Sequence, residues 1–406
     1  MKKLFFSVAF IFLSCAWAEA ITLEEALSDA LAKNPAIKSA KFKYESVKAK
    51  VPQSMSLNDP WFTYKPDAEM DMREPAFEIT QEIPFPTKLF SRGKVAESEA
   101  KGAYEEYLEK EKVVLAEVKT TYAELYLACK MIEVNKEVKE LLGQAADSAT
   151  KQYSVGKTGQ SDALKAQVEL AKVDGNLITW EQKKSSASAK LNYLLDYPQG
   201  NQISEAEVSR DAGLVKPLDE LYVSAKESRS ELRAMRHMID KAKGSLNLAG
   251  QEYLPDFMVG YERMFDAGED MWMVGATVPV WFFMKQNYGL KEMRADLAMA
   301  ENEYKSAENM VMFEIKDFYS QMDADKKLKD LYETSLLPQA DQSFKASLTA
   351  YESGQTDFLG LLDSERMLLE TKMQYYEILV HLEIAIAELE KTVGIEVEKC
   401  KRKVLS

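Results

Sequence analysis

Between Pro86 and Pro198 the chain carries no proline, so nothing obliges a helix to break there. Within that span Leu108, Leu115, Tyr122 and Cys129 fall seven apart. Val118, Leu125 and Ile132 keep the same interval, three residues behind Leu115, Tyr122 and Cys129. An apolar pair held in heptads is the pattern of a coiled coil. From Ser91 to Ser154 it predicts a helix of roughly 60 residues and roughly 90 Å, several times an ordinary globular helix. Val155-Gly156-Lys157-Thr158-Gly159 ends it. Gly156 suits a left-handed cap, and Ser161 can cap the helix that returns.

The N-terminus reads as a secretory signal over residues 1–20. Lys2 and Lys3 lead an apolar stretch from Leu4 to Leu13, and Ala18-Glu19-Ala20 is a small-residue cleavage site. The mature chain is expected to start at Ile21. Lipidation at Cys15 is the alternative, against which Phe12-Leu13-Ser14-Cys15 matches the usual lipobox poorly. Of the other cysteines, Cys129 lies on the seam and reads as a small buried hydrophobe, far in sequence from Cys400. Beyond the signal no stretch has the length and apolarity of a transmembrane helix, so a chain that spans a membrane must do so with strands. The formal net charge of −14 argues against a nucleic-acid partner.

The sequence is one unit written twice. Pro60, Phe62 and Pro84 recur 195 positions on as Pro255, Phe257 and Pro279. Tyr153, Gly156, Leu164 and Leu191 recur 198 positions on as Tyr351, Gly354, Leu362 and Leu389. So small a drift marks a tandem duplication. The first repeat, 21–197, opens on the capping box Thr22-Leu23-Glu24-Glu25, and Asn34-Pro35 separates two helices. Strands follow over about 58–86, then a helical hairpin over about 90–195. Residues 198–217 are a polar linker. The second repeat, 218–396, has strands over about 254–282 and a hairpin over about 285–394. Its own seam is Leu290, Leu297, Tyr304, Val311 and Phe318, and Pro338 is expected to bend that helix. Residues 397–406 form a tail. The class is mainly α with a small β part.

In the strands Phe77, Ile79 and Ile83 alternate with Glu78, Thr80 and Glu82. Trp272, Val274, Ala276 and Val278 alternate in the same way, and Phe62 and Tyr64 match Phe257 and Val259. Alternation alone fits a small soluble sheet as well as a membrane strand. An exported chain with four such strands cannot close a barrel, because small barrels need about eight, and an open edge is not tolerated in lipid. Several copies must then share one barrel, and three would supply about twelve strands. On this reading Phe62, Tyr64, Phe77, Ile79, Ile83, Phe257, Val259, Trp272, Val274 and Val278 face lipid, with Gln81 as a polar exception on that face.

At this point the sequence resembles the TolC family of outer membrane efflux channels. The match rests on Leu23-Glu24-Glu25-Ala26-Leu27 through Asn34-Pro35, on Gln81-Glu82-Ile83-Pro84-Phe85-Pro86, and on Tyr153-Ser154-Val155-Gly156 running into Asp162-Ala163-Leu164-Lys165-Ala166-Gln167. Leu337-Pro338-Gln339-Ala340 and Tyr351 to Gly354 carry it in the second repeat, and it covers essentially all of the mature chain. The family implies a homotrimer with a twelve-stranded outer-membrane β-barrel and a helical α-barrel tunnel across the periplasm. Its tip docks on a periplasmic adaptor (a membrane fusion protein) coupled to an inner membrane pump, and cargo passes unaltered.

The resemblance also places a periplasmic gate at Asp162 and Asp363, where relatives carry ring carboxylates. The plain alternative for Asp162 is an acid favourably placed in a helix's first turn. The matching place in the second repeat holds Gly360. The resemblance puts adaptor docking at Val155, Gly156, Lys157, Ser353, Gly354 and Gln355. Lys157 and Gln355 stand where relatives often have an apolar residue. An acidic lining would favour cations.

Met258, Met264, Met271 and Met273 read as core or lipid-facing filling and not as soft-metal ligands. His237 and His381 stand in helical stretches without a ligand-spaced cluster, and no nucleotide loop, G-x-S-x-G or H-E-x-x-H occurs. The reading is therefore no enzyme, no cofactor and no metal centre. The rival is a soluble periplasmic coiled-coil scaffold or adaptor.

Overall fold

The computed structural model describes residues 21–66, 75–155, 159–201, 203, 216–265, 268–353, 355–356 and 358–395. Outside them lie the signal segment with Cys15, part of the first strand loop, Gly156 and Lys157, most of the linker, Asp266, Gly354, and the tail with Cys400. Among the described residues no helix is long and apolar enough to cross a membrane.

The elements run α1 (Leu23–Lys33), α2 (Pro35–Met55), β1 (Trp61–Lys65), β2 (Ala76–Ile83), α3 (Pro86–Ser154), α4 (Gln160–Leu195), α5 (Leu218–Ser228), α6 (Ser230–Gln251), β3 (Asp256–Met264), β4 (Asp270–Thr277), α7 (Lys285–Leu331), a π-helical turn (Tyr332–Leu336), α8 (Leu337–Glu352) and α9 (Phe358–Val393). The duplication is visible in them: α4 and α9 are both 36 residues long and start 198 positions apart. Thr22 and Glu25 form the expected capping box on α1, and Asn34 caps its end where Pro35 starts α2. A π-helical turn, Tyr332–Leu336, precedes Pro338, which is the second residue of α8. There its missing N–H is one of the donors a helix start leaves unpaired.

The chain divides into two compact units that do not follow the two repeats. One holds α1, the later part of α3, α4, the end of α7, the π turn, α8 and most of α9. Its core contains Val138 and Leu142 of α3, Ala166 and Val173 of α4, Ala340 and Phe344 of α8, and Phe358, Leu361, Leu362 and Leu368 of α9. A satellite cluster joins Ala128, Met131 and Trp180. Several buried polar groups here are paired. Asn34 donates to the Leu194 carbonyl at 2.8 Å, Tyr122 donates to the Ile21 carbonyl at 3.1 Å, and the Tyr197 hydroxyl donates to Asp29.

The other unit holds α2, the sheet, α5, α6, the first parts of α3 and α7, and the C-terminal end of α9. Lys88, 1% exposed, donates to the Leu254 carbonyl at 3.0 Å and to both Asp256 carboxylate oxygens at 2.9 Å, which fixes the start of α3 against the start of β3. Arg229 bonds Glu231, Glu314 and the Thr392 carbonyl, and Arg233 bonds Glu105. Lys88 and Arg229 are buried with several partners each; removing one partner would leave the remaining charge undercompensated. Gly394 ends α9 at φ +82, and a Cβ there would come within 2.9 Å of the Ser228 carbonyl oxygen, so glycine is required on both counts.

The sheet is antiparallel in the order β1-β2-β3-β4, which leaves β1 and β4 as its edges. Its register pairs Phe62 with Ile79, Tyr64 with Phe77, Ile83 with Phe257, Val259 with Val274, and Tyr261 with Trp272. Cross-strand pairs share a face, so the lipid-facing set of the sequence reading lies together, apart from Val278, which falls just beyond β4. The rings interlock: Phe62 and Phe77 lie 4.1 Å apart, Tyr261 and Trp272 5.1 Å.

Gln81 sits on the apolar face, opposite Val259. It donates to the carbonyls of Asn58 and Glu82, so its amide is satisfied locally. On the same face Arg263 and Asp270 meet at 3.5 Å, and both lie at the hairpin end of the strands.

The four methionines occupy the opposite face from Phe77, Ile79 and Val259. Met258 pairs with Gly275 and Met273 with Gly260, and each methyl reaches over its glycine. Glu78, Glu262 and Lys65 share that face, with Lys65 3.0 and 2.8 Å from the two carboxylates.

Candidate functional site

The two turns that join α3 to α4 and α8 to α9 carry the gate and docking candidates. The return helix begins at Gln160, with Gly159 as its extended N-cap and no side-chain cap. Ser161 therefore does not cap it as the sequence suggested; it lies one residue inside and donates to Asp162 at 3.2 Å. Asp162 stands in the first turn of α4, half-buried, where the helix dipole favours an acid.

Asp363 differs. Its side chain is 78% exposed and meets Arg366, a turn further along α9, at 3.9 Å. The structure thus gives the two aspartates different surroundings.

Of the docking candidates, Val155, Ser353 and Gln355 are surface groups. Val155 follows the last turn of α3 and is 68% exposed. Ser353 ends α8, its hydroxyl donating to the Thr349 carbonyl at 3.0 Å. The N–H of Gln355 returns to the Ala350 carbonyl at 2.8 Å, so the chain folds back on the helix end. Gly156, Lys157 and Gly354 lie outside the described residues.

Behind Asp363 is a charged group the sequence reading missed. Arg366 of α9 donates to Glu169 of α4, which Lys172 also contacts at 2.9 Å. Burial works against the Glu169 charge, but Lys172 and Arg366 outweigh it and hold its carboxyl below the usual range. Next along α9, Glu365 is 4% exposed, and burial, aided by the Glu169 charge, pushes its carboxyl up to about 7. The sequence held one signal for this group: Glu365 and Arg366 follow Asp363 within one helical turn, and Glu169 lies two turns beyond Asp162. Nothing in the spacing says which of these acids is buried.

The described residues form a duplicated arrangement of long helices and a four-stranded sheet whose two outer strands are each unpaired on one side. The family model described as "Outer membrane efflux protein" matches residues 26–195 and 221–395. The chain belongs to that family. It is 22% identical over 380 residues to the cobalt-zinc-cadmium resistance protein CzcC of Cupriavidus metallidurans, covering 92% of this chain and 90% of that one. Among solved structures, the outer membrane protein VceC of Vibrio cholerae superposes with a TM-score of 0.79 at 17% identity, covering 92% of this chain and 96% of that one. The Campylobacter jejuni CmeC outer membrane channel gives 0.80 at 14%, covering 94% and 88%. The fold is that of these channels, and the chain is an outer membrane efflux protein. A soluble scaffold is not favoured.

Proposed function

We propose that three copies of this chain form the passive exit duct of a tripartite efflux system. Four strands from each close one barrel in the outer membrane, and the helices carry the bore into the periplasm towards an adaptor and an inner membrane pump. The observation that carries this is the sheet. Its register gathers the aromatic and aliphatic positions on one face while β1 and β4 remain unpaired edges. Lipid accepts such a face and forbids such edges, so the edges must meet those of sister copies. The opposite face, with Lys65, Glu78 and Glu262, would line water. Residues 1–20 would direct export and be removed.

Sucrose-gradient fractionation should place the protein with the outer membrane, and detergent-extracted material should cross-link as trimers. A water-soluble monomer giving no current in planar bilayers would overturn the reading. Within it, Asp162 and Asp363 would ring the periplasmic aperture. Val155, Gly156, Lys157, Ser353, Gly354 and Gln355 would meet the adaptor, whose docking dilates the aperture. Asp162→Asn and Asp363→Asn channels should lose block by divalent cations; unchanged block removes the gate assignment. Cargo is handed over by the pump and leaves unaltered. CzcC is named for cobalt, zinc and cadmium resistance, so growth of a deletion strain in graded amounts of those ions is the first cargo assay.

A further inference from the structure

One cavity in the helical unit has the chemistry of a ligand site. It measures about 100 Å³ and is enclosed by α3, α8 and α9, with Leu141, Ala145, Phe344, Leu348, Phe358 and Leu361 on its walls. Four polar side chains interrupt this lining, Gln144 and Ser148 of α3 together with Glu365 and Tyr351. Glu365 is 4% exposed and Tyr351 6% exposed. Glu365 Oε1 has no hydrogen-bond partner, and the Tyr351 hydroxyl, with Ser148 beside it, makes no bond of normal geometry. The Tyr351 and Phe358 rings meet edge to face with centroids 5.8 Å apart.

A carboxylate in such surroundings lacks a counter-charge. Arg366 points its guanidinium to Glu169 instead. Burying an unpaired charge is unfavourable, so without a cation the acid holds its proton up to about pH 7. An ammonium group would supply both what the carboxylate lacks and donors for the two unpartnered oxygens. Aromatic walls favour a cation further. The remaining space is apolar and takes roughly four non-hydrogen atoms, the carbons of a butyl chain, since an engineered cavity of about 150 Å³ holds the six of benzene.

We propose that this cavity binds a small primary alkylammonium, its nitrogen on Glu365 Oε1 and the Tyr351 hydroxyl and its alkyl tail among the aliphatic side chains. Binding displaces the Glu365 proton to solvent, so affinity rises with pH. The charged and titratable groups around Glu365 are Glu169 of α4, which disfavours its ionisation, Arg366 of α9, which favours it, and Tyr351 of α8, itself near Asp162. On this wall α3 contributes the uncharged Gln144 and Ser148. The site is independent of the channel reading, because it lies within one chain.

The test is calorimetric titration of the full detergent-solubilised protein with n-butylammonium chloride. One saturable site per chain is expected at about pH 8, with affinity roughly thirtyfold weaker at about pH 5.5, where the acid is protonated. Glu365→Gln should weaken binding at least about tenfold and remove the pH dependence. Uncharged n-butanol, of the same size, should bind at least about tenfold more weakly. No saturable heat with the wild-type protein, equal affinity in Glu365→Gln, or equal binding of n-butanol would each overturn the proposal. The wild-type pH series decides by itself if the variant misfolds.

Discussion

The seams of α3 and α7 share a sequence pattern but not an environment. On α3, Leu115, Val118, Tyr122 and Leu125 are 6% exposed or less. On α7, Val311 is buried, while Leu290, Leu297, Tyr304 and Phe318 are half-buried, and Met299, Met310 and Phe313 stand exposed. A heptad seam states that a helix has an apolar stripe; it does not say whether the covering helix belongs to the same chain. The α3 seam, half-buried at its ends at Leu108, Cys129 and Ile132, finds its cover within the chain from Leu115 to Leu125. Much of the α7 seam does not, as expected if sister copies complete it.

That contrast can be broken at both ends. The largest effect is expected from Leu125→Ala. The side chain is fully buried, and its loss should cost about 3 kcal/mol of chain stability, read from thermal or denaturant unfolding. The pair Met310→Ser and Phe313→Ser should leave single-chain stability within about 0.5 kcal/mol yet reduce the trimer fraction in detergent. Unchanged trimers would mean that the exposed stripe of α7 is not an assembly surface.

A smaller effect is expected from Glu365. Its carboxyl is pushed up to about 7 from an ordinary 4.5, so between those values the folded chain binds more proton than the unfolded one. Stability should therefore fall as pH rises through that window and level off above about 7; in Glu365→Gln this part of the pH dependence should vanish. The smallest change is expected for Glu169→Gln. It weakens a partly exposed tie between α4 and α9 by about 1 kcal/mol, seen as a slight drop in melting temperature.

Part of this architecture was legible from spacing alone. The heptads marked both hairpins, the repeat offset located their turns, and alternation selected the apolar face that the register of Phe62 with Ile79 and Val259 with Val274 then assembled. Such features depend on period, which a linear string preserves. The sequence reading treats the methionines as a cluster and assigns them no face; the register does. Met258 and Met273 pair with glycines among the charged positions, and their flexible side chains fill the space a glycine leaves.

The sequence by itself determined the helix and strand periods, the duplication and the acids at the turns, since each is a property of neighbours along the chain. Tertiary structure alone decided that the compact units cut across the two repeats, that Arg366 reaches Glu169, and that Glu365 lies buried without a counter-charge. Burial and pairing are set by residues distant in sequence, and one residue's contact with water is fixed only when the others have closed over it.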